Sequence, residues 1–90
     1  MVLRIEGFIW LDWVLEKLIT KHGVEPEEVE EAFFNPPHKV RRSESGKLLL
    51  YGCSLAGRCL FVVFGAEGRQ VKVVSTRDMT DAERHLFRQK

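Results

Sequence analysis

The 90-residue sequence lacks the features of membrane, secreted and multidomain proteins. No apolar run approaches the roughly 20 residues that a transmembrane helix needs. The N-terminus has no basic segment followed by a long apolar one, which a signal peptide would show. Linkers, repeats and low-complexity tracts are absent as well. We therefore expect residues 1–90 to form a single domain in the cytoplasm, with no membrane association.

Cysteine is scarce, since Cys53 and Cys59 are the only two. Two cysteines are too few for a disulfide framework, and their spacing matches no zinc motif. In the cytoplasm we expect both thiols to stay reduced and to act as small core residues. A disulfide across a hairpin is the alternative.

Catalytic and ligand-binding signatures are also missing. There is no phosphate-binding glycine loop and no H-E-x-x-H, G-x-S-x-G or C-x-x-C motif. The three histidines, His22, His38 and His85, are scattered along the chain. We therefore expect no metal site and no cofactor, so that any catalysis depends on positioned side chains.

Charge is present but unevenly distributed. Residues 1–35 contain three Lys or Arg and eight Asp or Glu, a balance of −5. Residues 36–90 contain eleven Lys or Arg and five Asp or Glu, a balance of +6. This segregation indicates a surface that meets a polyanion or an acidic partner. The alternative is that helices favour Glu while strand edges favour Lys and Arg.

The first third of the chain predicts two helices after a short strand at residues 3–7. Apolar residues recur at helical spacing over residues 10–19, and Gly23 is placed to end that helix. Pro26 suits the first turn of a second helix. Asn35-Pro36-Pro37 ends it.

The rest of the chain predicts strands and a last helix. Thr80 and Glu83 form a T-x-x-E capping box at the start of that helix. Short segments rich in branched and aromatic residues precede it, at residues 38–42, 47–54, 59–64 and 70–76. The expected class is α+β, with two N-terminal helices and a C-terminal helix packed on an antiparallel sheet of about four strands.

Two similar pentads, S-L-A-G-R at 54–58 and G-A-E-G-R at 65–69, predict three-residue hairpin loops. In each loop the glycine is expected to adopt the left-handed conformation of a bulge. The first loop predicts that Cys53 faces Cys59 and that Gly57 has a positive φ.

The same register divides the sheet into two faces. The helices are expected to cover one apolar face, formed by Leu49, Tyr51, Phe61, Val63, Val71 and Val73. The opposite face mixes Leu60, Val62, Phe64 and Val74 with Gln70, Thr76, Arg58 and Lys72, and is expected to be partly open to a partner. Arg58 and Lys72 are therefore candidate substrate-binding residues.

Two arginines surround the junction between the last strand and the last helix. Arg77 lies at the strand end and Arg84 lies in the first turn of the helix. A helix N-terminus attracts anions, and adjacent arginines would make it a phosphate site. The alternative is that Arg77 pairs with Glu83 or Asp81 and only holds the junction together.

Candidate substrate-contacting residues also lie in the first helix. His22 is a candidate for proton transfer, because imidazole exchanges protons readily near neutral pH. The alternative is a cap at the helix C-terminus. Lys21 is a candidate phosphate ligand or a solvated side chain. Trp10 and Trp13 are expected in the core or at its rim, unless one of them stacks on a base.

Three segments together resemble a known family and span residues 8–88. The first is an aromatic residue near the start followed by a helix ending in K-H-G-V (21–24), with an acidic E-E-V-E-E-A-F helix ending in N-P after it. The other two are the hairpin strand G-R-C-L-F-V-V-F (57–64) and V-V-S-T-R-D-M-T-D-A-E-R (73–84). The last is similar to I-S-A-R-x-A-T-x-x-E-R. The chain thus resembles the BrnT family of type II toxins, ribonucleases with a RelE-like fold.

The resemblance implies metal-independent cleavage of single-stranded RNA or mRNA by attack of a ribose 2′-OH. Arg77 and Arg84 would bind the scissile phosphate, His22 would move the proton, and Lys21 and Trp10 would contact the substrate. It also implies a ribbon-helix-helix antitoxin encoded nearby, received by the mixed sheet face. Oligomers would form only through that antitoxin or as a weak homodimer.

One departure keeps a second function open. Phe87 stands where the family commonly has a tyrosine, so a catalytic hydroxyl is missing. The alternatives are a catalytically silent RNA-binding or protein-interaction module on the same fold, and a purely structural small domain.

Overall fold

The computed structural model describes residues 5–88, and within them the chain forms three helices and five strands. Of the strand predicted at residues 3–7, residues 3 and 4 lie outside the described part. The elements in chain order are β1 (Gly7–Ile9), α1 (Asp12–His22), α2 (Pro26–Phe34), β2 (Lys39–Arg42), β3 (Leu48–Cys53), β4 (Cys59–Glu67), β5 (Gln70–Asp78) and α3 (Asp81–Arg88).

The strands form one sheet in the order β1-β5-β4-β3-β2. All neighbours pair antiparallel except β1, which runs parallel to β5 and pairs only with its first three residues. The α+β class and the largely antiparallel sheet are confirmed. The number of strands was predicted too low, because residues 38–76 supply four strands and β1 adds a fifth at the edge.

Helix boundaries follow local signals in the sequence. Gly23 ends α1 with φ 59°, and its N–H donates to the carbonyl of Ile19 at 3.1 Å. Glycine adopts this left-handed conformation without a steric penalty. Pro26 opens α2, and the backbone N–H of Glu25 donates to the Glu28 carboxylate at 3.0 Å. Both predicted helices are therefore present, and Gly23 and Pro26 mark the predicted boundaries, whereas α1 begins at Asp12, two residues after the predicted start of its apolar pattern.

The hairpin between β3 and β4 has the predicted register. Cys53 pairs with Cys59, and Gly57 has φ 93°. Ser54 closes the loop, because its carbonyl accepts from the Gly57 N–H at 2.9 Å and its hydroxyl accepts from the Arg58 N–H at 3.2 Å. The prediction for this loop is confirmed.

In the second hairpin Gly68 has the predicted positive φ, at 63°, but the predicted loop length is wrong. Glu67 pairs with Gln70, so only Gly68 and Arg69 form the turn. Gly65 stands where the first loop has Ser54, and it has no side chain to bond back to the loop. A bulge follows in β5, where Val63 pairs with Ser75 but Phe64 pairs with Val73, which leaves Val74 as the extra residue.

The helix-covered face of β3 and β4 is also the opposite of the predicted one. The buried residues there are Leu50, Leu60, Val62 and Phe64, together with Val71 and Val73 of β5. Leu49, Tyr51, Phe61 and Val63 lie on the other face. Gly52 shows why α2 takes this side, since a Cβ on Gly52 would lie 2.7 Å from the carbonyl oxygen of Ala32.

The core lies between this sheet face and the first two helices. Val14 and Leu18 come from α1, and Val29, Ala32 and Phe33 come from α2. Phe33 meets Phe64 edge to face, with ring centroids 4.9 Å apart. This packing leaves the second sheet face, hereafter the open face, to α3 and to solvent. The open face carries Lys39, Arg41, Leu49, Tyr51, Phe61, Val63, Lys72, Ser75 and Arg77.

The two cysteines do not follow the prediction of reduced thiols. Cys53 and Cys59 form a disulfide, with Cα atoms 3.9 Å apart across the β3–β4 ladder. The register that places them opposite each other also allows the bond. Among residues 5–88, no helix is long and apolar enough to cross a membrane.

Candidate functional site at the end of strand β5

The bulge at Val74 decides which way the last residues of β5 point. Side chains alternate along a strand, so without the bulge Ser75 would follow Val71 and Val73 into the core. The extra residue shifts this alternation. Thr76 is buried instead, and Ser75 and Arg77 lie on the open face. As a result, the end of β5 presents a threonine hydroxyl on the covered face and an arginine on the open face.

Arg77 is held on the open face by three contacts. Its guanidinium forms a bidentate pair with the Glu83 carboxylate at 2.6 and 2.9 Å and donates to the Asp78 carbonyl at 3.1 Å. It also lies over the Phe61 ring, 4.4 Å from the centroid. The side chain keeps 41% of its surface exposed. The structure thus contains the Arg77–Glu83 pair that the sequence offered as an alternative.

Glu83 links this pair to the helix N-terminus. Its carboxylate accepts from the Thr80 N–H at 2.9 Å, and its own N–H donates to the Thr80 hydroxyl at 3.1 Å. These are the two hydrogen bonds of a capping box. The hydrogen bonds from Arg77, followed by those from Thr80, lower the pKa of Glu83 to about 2. The carboxylate is therefore ionised at neutral pH, and the pair also raises the pKa of Arg77.

A second cluster forms on the helix-covered side of β5, around Asp78. Arg58 donates to the Asp78 carboxylate at 2.7 and 3.0 Å. The same guanidinium donates to the carbonyls of His22 and Gly23 at 2.8 and 2.9 Å. It also lies 3.6 Å from Glu28. Arg58 therefore joins the sheet to the C-terminus of α1, where orphan carbonyls need donors.

The electrostatics of Asp78 bring two further predicted residues into this cluster. The Arg58 hydrogen bonds lower its pKa most, and the charges of Arg84 and His22 lower it further. Arg84 is also paired with Asp81 in the first turn of α3. His22 and Arg84 thus lie around Asp78, whereas Arg77 lies on the open face.

The remaining predicted residues have different surroundings. The Trp10 indole N–H donates to Glu30 at 2.8 Å, and Trp10 packs against the core. Lys21 is exposed in the last turn of α1. Lys72 alternates with the buried Val71 and Val73, so it belongs to the open face rather than to the face of Arg58.

The aromatic pair at the centre of the open face is not among the site residues predicted from the sequence. Tyr51 and Phe61 are cross-strand neighbours with ring centroids 5.0 Å apart, and both are half-buried. The sequence predicts both residues on the covered face, because β3 and β4 are apolar on both sides. The glycine at position 52 was the available signal, since a glycine inside a strand often marks close approach of another element.

The last helix covers one end of the open face. Leu86 and Phe87 line a pocket of about 80 Å³ whose walls include Lys39, Arg41 and Tyr51. The Lys39 ammonium lies 5.9 Å from the Phe87 ring centroid. Leu86 remains 64% exposed. The open face is therefore bordered by basic side chains on β2 and by an apolar helix edge.

Comparisons with known proteins agree with this fold. Residues 13–83 match the family model described as the ribonuclease toxin BrnT of type II toxin–antitoxin systems. A similar solved structure is the 1.1 Å crystal structure of the BrnT ribonuclease toxin of Brucella abortus, with a TM-score of 0.70 and 23% identity. The alignment covers 83% of this chain and 97% of that chain. At this identity the likeness establishes the fold alone. No curated protein sequence matches.

Proposed function

This chain belongs to the BrnT family of ribonuclease toxins of type II toxin–antitoxin systems, and we propose that it cleaves single-stranded RNA without a metal ion. The family implies an RNA substrate and a cognate antitoxin. The residues of this chain indicate where the RNA would bind and which side chains would act at the scissile phosphate.

The observation that carries the proposal is the position of Arg77. It lies on a sheet face that α1 and α2 do not cover. Phe61 is its cross-strand neighbour on β4, and Tyr51 is the cross-strand neighbour of Phe61 on β3. Unstacked bases of single-stranded RNA bind aromatic side chains, and basic side chains bind the phosphates between them. Lys39 and Arg41 on β2 and Lys72 on β5 add positive charge to this face. An RNA strand lying across the open face meets both kinds of group.

Arg77 would bind the scissile phosphate through its planar guanidinium. Because Glu83 already holds that guanidinium in a bidentate pair, the side chain is oriented before substrate arrives. A phosphate approaching from the exposed side would share Arg77 with Glu83. Arg84, in the first turn of α3, adds charge on the other side of the junction. The two cations would stabilise the negative charge that develops on the phosphate oxygens.

The reaction we propose is an internal transfer at phosphorus. The 2′-oxygen forms a bond to phosphorus while the bond from phosphorus to the 5′-oxygen of the next nucleotide breaks. The imidazole of His22 accepts the proton of the 2′-OH, and water supplies a proton to the leaving 5′-oxygen. The products are a 2′,3′-cyclic phosphate and a 5′-hydroxyl end. His22 is reached when the RNA passes around the edge of β5, because Ser75 of the open face lines the same groove as His22.

Several finer assignments belong to the same proposal. Lys21, next to His22, would bind a flanking phosphate. Arg58 would act by fixing the carbonyl end of α1 and so the position of His22. Trp10, which precedes α1, would contribute by holding the segment between β1 and α1 against α2 through Glu30. Thr80 and Glu83 would fix the start of α3 and, through Glu83, the orientation of Arg77.

The partner and the wider assembly are proposed from the family resemblance. We infer a ribbon-helix-helix antitoxin, a RelE-like arrangement, a cytoplasmic location, a single domain over residues 1–90, and oligomers only through the antitoxin or a weak homodimer. The face first predicted to receive the antitoxin is filled by the core. The antitoxin would therefore cover the open face, where it would also exclude RNA.

The test is cleavage of a single-stranded RNA by purified protein in EDTA, with the ends of the products identified. We expect cyclic phosphate and 5′-hydroxyl ends, loss of cleavage in Arg77→Ala, and unchanged cleavage in Arg69→Ala. Arg69 is a matched control, because it is an exposed arginine paired with one glutamate, Glu6, at 3.0 Å. Products with 5′-phosphate ends would contradict the 2′-OH mechanism.

A second function is favoured by one specific observation. Both terminal nitrogens of Arg77 are engaged by Glu83, and Phe87 supplies no hydroxyl near them. A protein of this kind would bind RNA, or its partner, without cleaving it. Tight binding of the RNA with no product in the same assay would establish this silent module and overturn the catalytic proposal.

A further inference from the structure

A groove of about 230 Å³ lies between α1 and the outer edge of β5. The residues that line it include Trp13, Lys17 and His22 from α1 and Val74, Ser75 and Thr76 from β5. Among these lining residues the ionisable groups are one lysine and one histidine, with no carboxylate. The groove therefore suits a ligand that carries negative charge.

One buried polar atom in this groove has no partner. Thr76 is only 3% exposed, and its hydroxyl forms no hydrogen bond with any described residue. Buried hydroxyls are nearly always hydrogen-bonded, and an unpaired one costs folding free energy. The bulge at Val74 turns this threonine inward. Its hydroxyl therefore lies at the wall of the groove without a hydrogen-bond partner among the described residues.

The backbone of β5 is also available along this groove. β1 pairs with β5 only as far as Lys72, and within residues 5–88 no other strand continues along that edge. From the bulge onward, the N–H and C=O groups that point away from β4 lie at a sheet edge. Such groups present alternating donors and acceptors to whatever binds beside them.

Trp13 adds a flat apolar surface at the mouth of the groove. It lies in the first turn of α1 and is 56% exposed, whereas Trp10 packs against the core with its N–H bonded to Glu30. Lys17 follows Trp13 by one helical turn. An aromatic ring beside a cation, backbone donors and acceptors, and a free hydroxyl together match the face, phosphate and polar edge of a nucleotide.

We propose that this groove binds one unstacked base of the RNA, with Trp13 against its face, the β5 edge and Thr76 at its polar edge, and Lys17 at its phosphate, while His22 at the end of the groove stays available to the 2′-OH. This inference rests on the proposed function and extends it. The open face would hold the scissile phosphate at Arg77, and the groove would select the neighbouring nucleotide around the edge of β5. A paired base cannot enter, so the groove favours single strands.

The test separates binding from cleavage by using a substrate that cannot react. The probes are short, fluorescein-labelled 2′-O-methyl oligonucleotides of A, C or U, titrated into the full chain. Trp13→Ala should weaken binding about tenfold, and Thr76→Val about fivefold without lowering the melting temperature. Ile19→Ala is the matched control, because Ile19 is an exposed apolar residue of the same helix, 49% exposed, outside the groove.

The location is tested by NMR of the same titration, in which the Trp13 indole N–H and the Thr76 amide should shift. Preference among the three probes should also decrease in both variants. Unchanged binding in Trp13→Ala and Thr76→Val, with binding lost in Arg77→Ala, would overturn the groove while leaving the proposed function intact. If the NMR signals of the groove residues change in the complex with co-expressed antitoxin but not on addition of RNA, the RNA proposal is overturned. The occupant of the β5 edge would then be a strand of the antitoxin. Absence of both binding and cleavage in the wild type would overturn both proposals.

Discussion

Arg77 and Phe61 are partners across the β4–β5 ladder, and the guanidinium lies 4.4 Å from the centroid of the ring. The ring covers one side of the guanidinium, and Glu83 occupies two of its nitrogens. A cation held over an aromatic ring and paired with a carboxylate has little rotational freedom left. Arg77 is therefore a fixed positive charge on the open face, which is the property that phosphate recognition needs.

The Arg77–Glu83 pair predicts a specific pH dependence of folding stability. The pKa of Glu83 falls from its ordinary value of 4.5 to about 2 in the folded protein. A carboxyl with a lowered pKa contributes stability that is complete above the unfolded value and is lost as the pH falls through the folded value. The difference in stability between wild type and Glu83→Gln should therefore shrink as the pH is lowered from about 5 to about 2.

The measurement is chemical denaturation of both proteins across that pH range. Asp78 also has a lowered pKa, so the wild-type curve alone mixes two groups, and the comparison with Glu83→Gln isolates one of them. A difference that stays constant with pH would show that Glu83 does not carry the predicted linkage.

The corrected assignment of the sheet faces predicts a contrast between two neighbouring leucines. Leu50 is fully buried under the helices, whereas Leu49 lies half-buried on the open face. Leu50→Ala should destabilise the fold by about 2–5 kcal/mol, as large-to-small changes in a core do. Leu49→Ala should cost clearly less. The measurement is the free energy of unfolding of both variants in urea. A larger loss in Leu49→Ala than in Leu50→Ala would support the covered face predicted from the sequence.

A second pair of variants tests the Arg58 cluster. Arg58 bonds to Asp78 and to two carbonyls at the end of α1, so Arg58→Ala leaves several groups without a donor. We expect a loss of about 2 kcal/mol. Arg69→Ala breaks only an exposed pair with Glu6 and should cost less than about 1 kcal/mol. Equal effects on the urea midpoint would mean that the Arg58 contacts do not join the helix to the sheet.

Local signals in the sequence predicted the parts of the fold that depend on local chemistry. Gly23 and Gly57 mark positions that need a left-handed backbone, and both have positive φ. The first hairpin and the capping pattern of Thr80 and Glu83 depend on hydrogen bonds between residues close in sequence. Such features are determined by the side chains of nearby residues. Local sequence patterns therefore predicted the three helices and four of the strands.

Features that depend on tertiary packing could not be predicted. Strands β3 and β4 are apolar at odd and even positions alike, so periodicity does not say which face the helices cover. The bulge at Val74 has no marker such as glycine, yet it decides that Thr76 points inward and Arg77 outward. The Arg58–Asp78 pair joins the loop before β4 to the end of β5, so it cannot be predicted from sequence spacing. The division of the candidate site between two sides of β5 follows from these three facts.

The final prediction concerns what Arg77 and His22 each do in the reaction. Arg77→Lys keeps the charge but loses the planar fork that can hold Glu83 and a phosphate together, so cleavage should fall nearly as far as in Arg77→Ala. His22→Ala should lower kcat more than it weakens RNA affinity, because a proton-transfer group acts in the transition state. The measurements are single-turnover cleavage of an RNA oligonucleotide and binding of its 2′-O-methyl analogue, with thermal melts of each variant.

The core lies on the side of the sheet away from Arg77, so the Arg77 variants should remain folded. His22 is exposed at the end of α1, and its replacement should be equally well tolerated. Unfolding of Arg77→Ala would show that the arginine serves the strand-to-helix junction alone. A His22→Ala variant with full kcat would remove His22 from the proton transfer and leave the phosphate site to act without it.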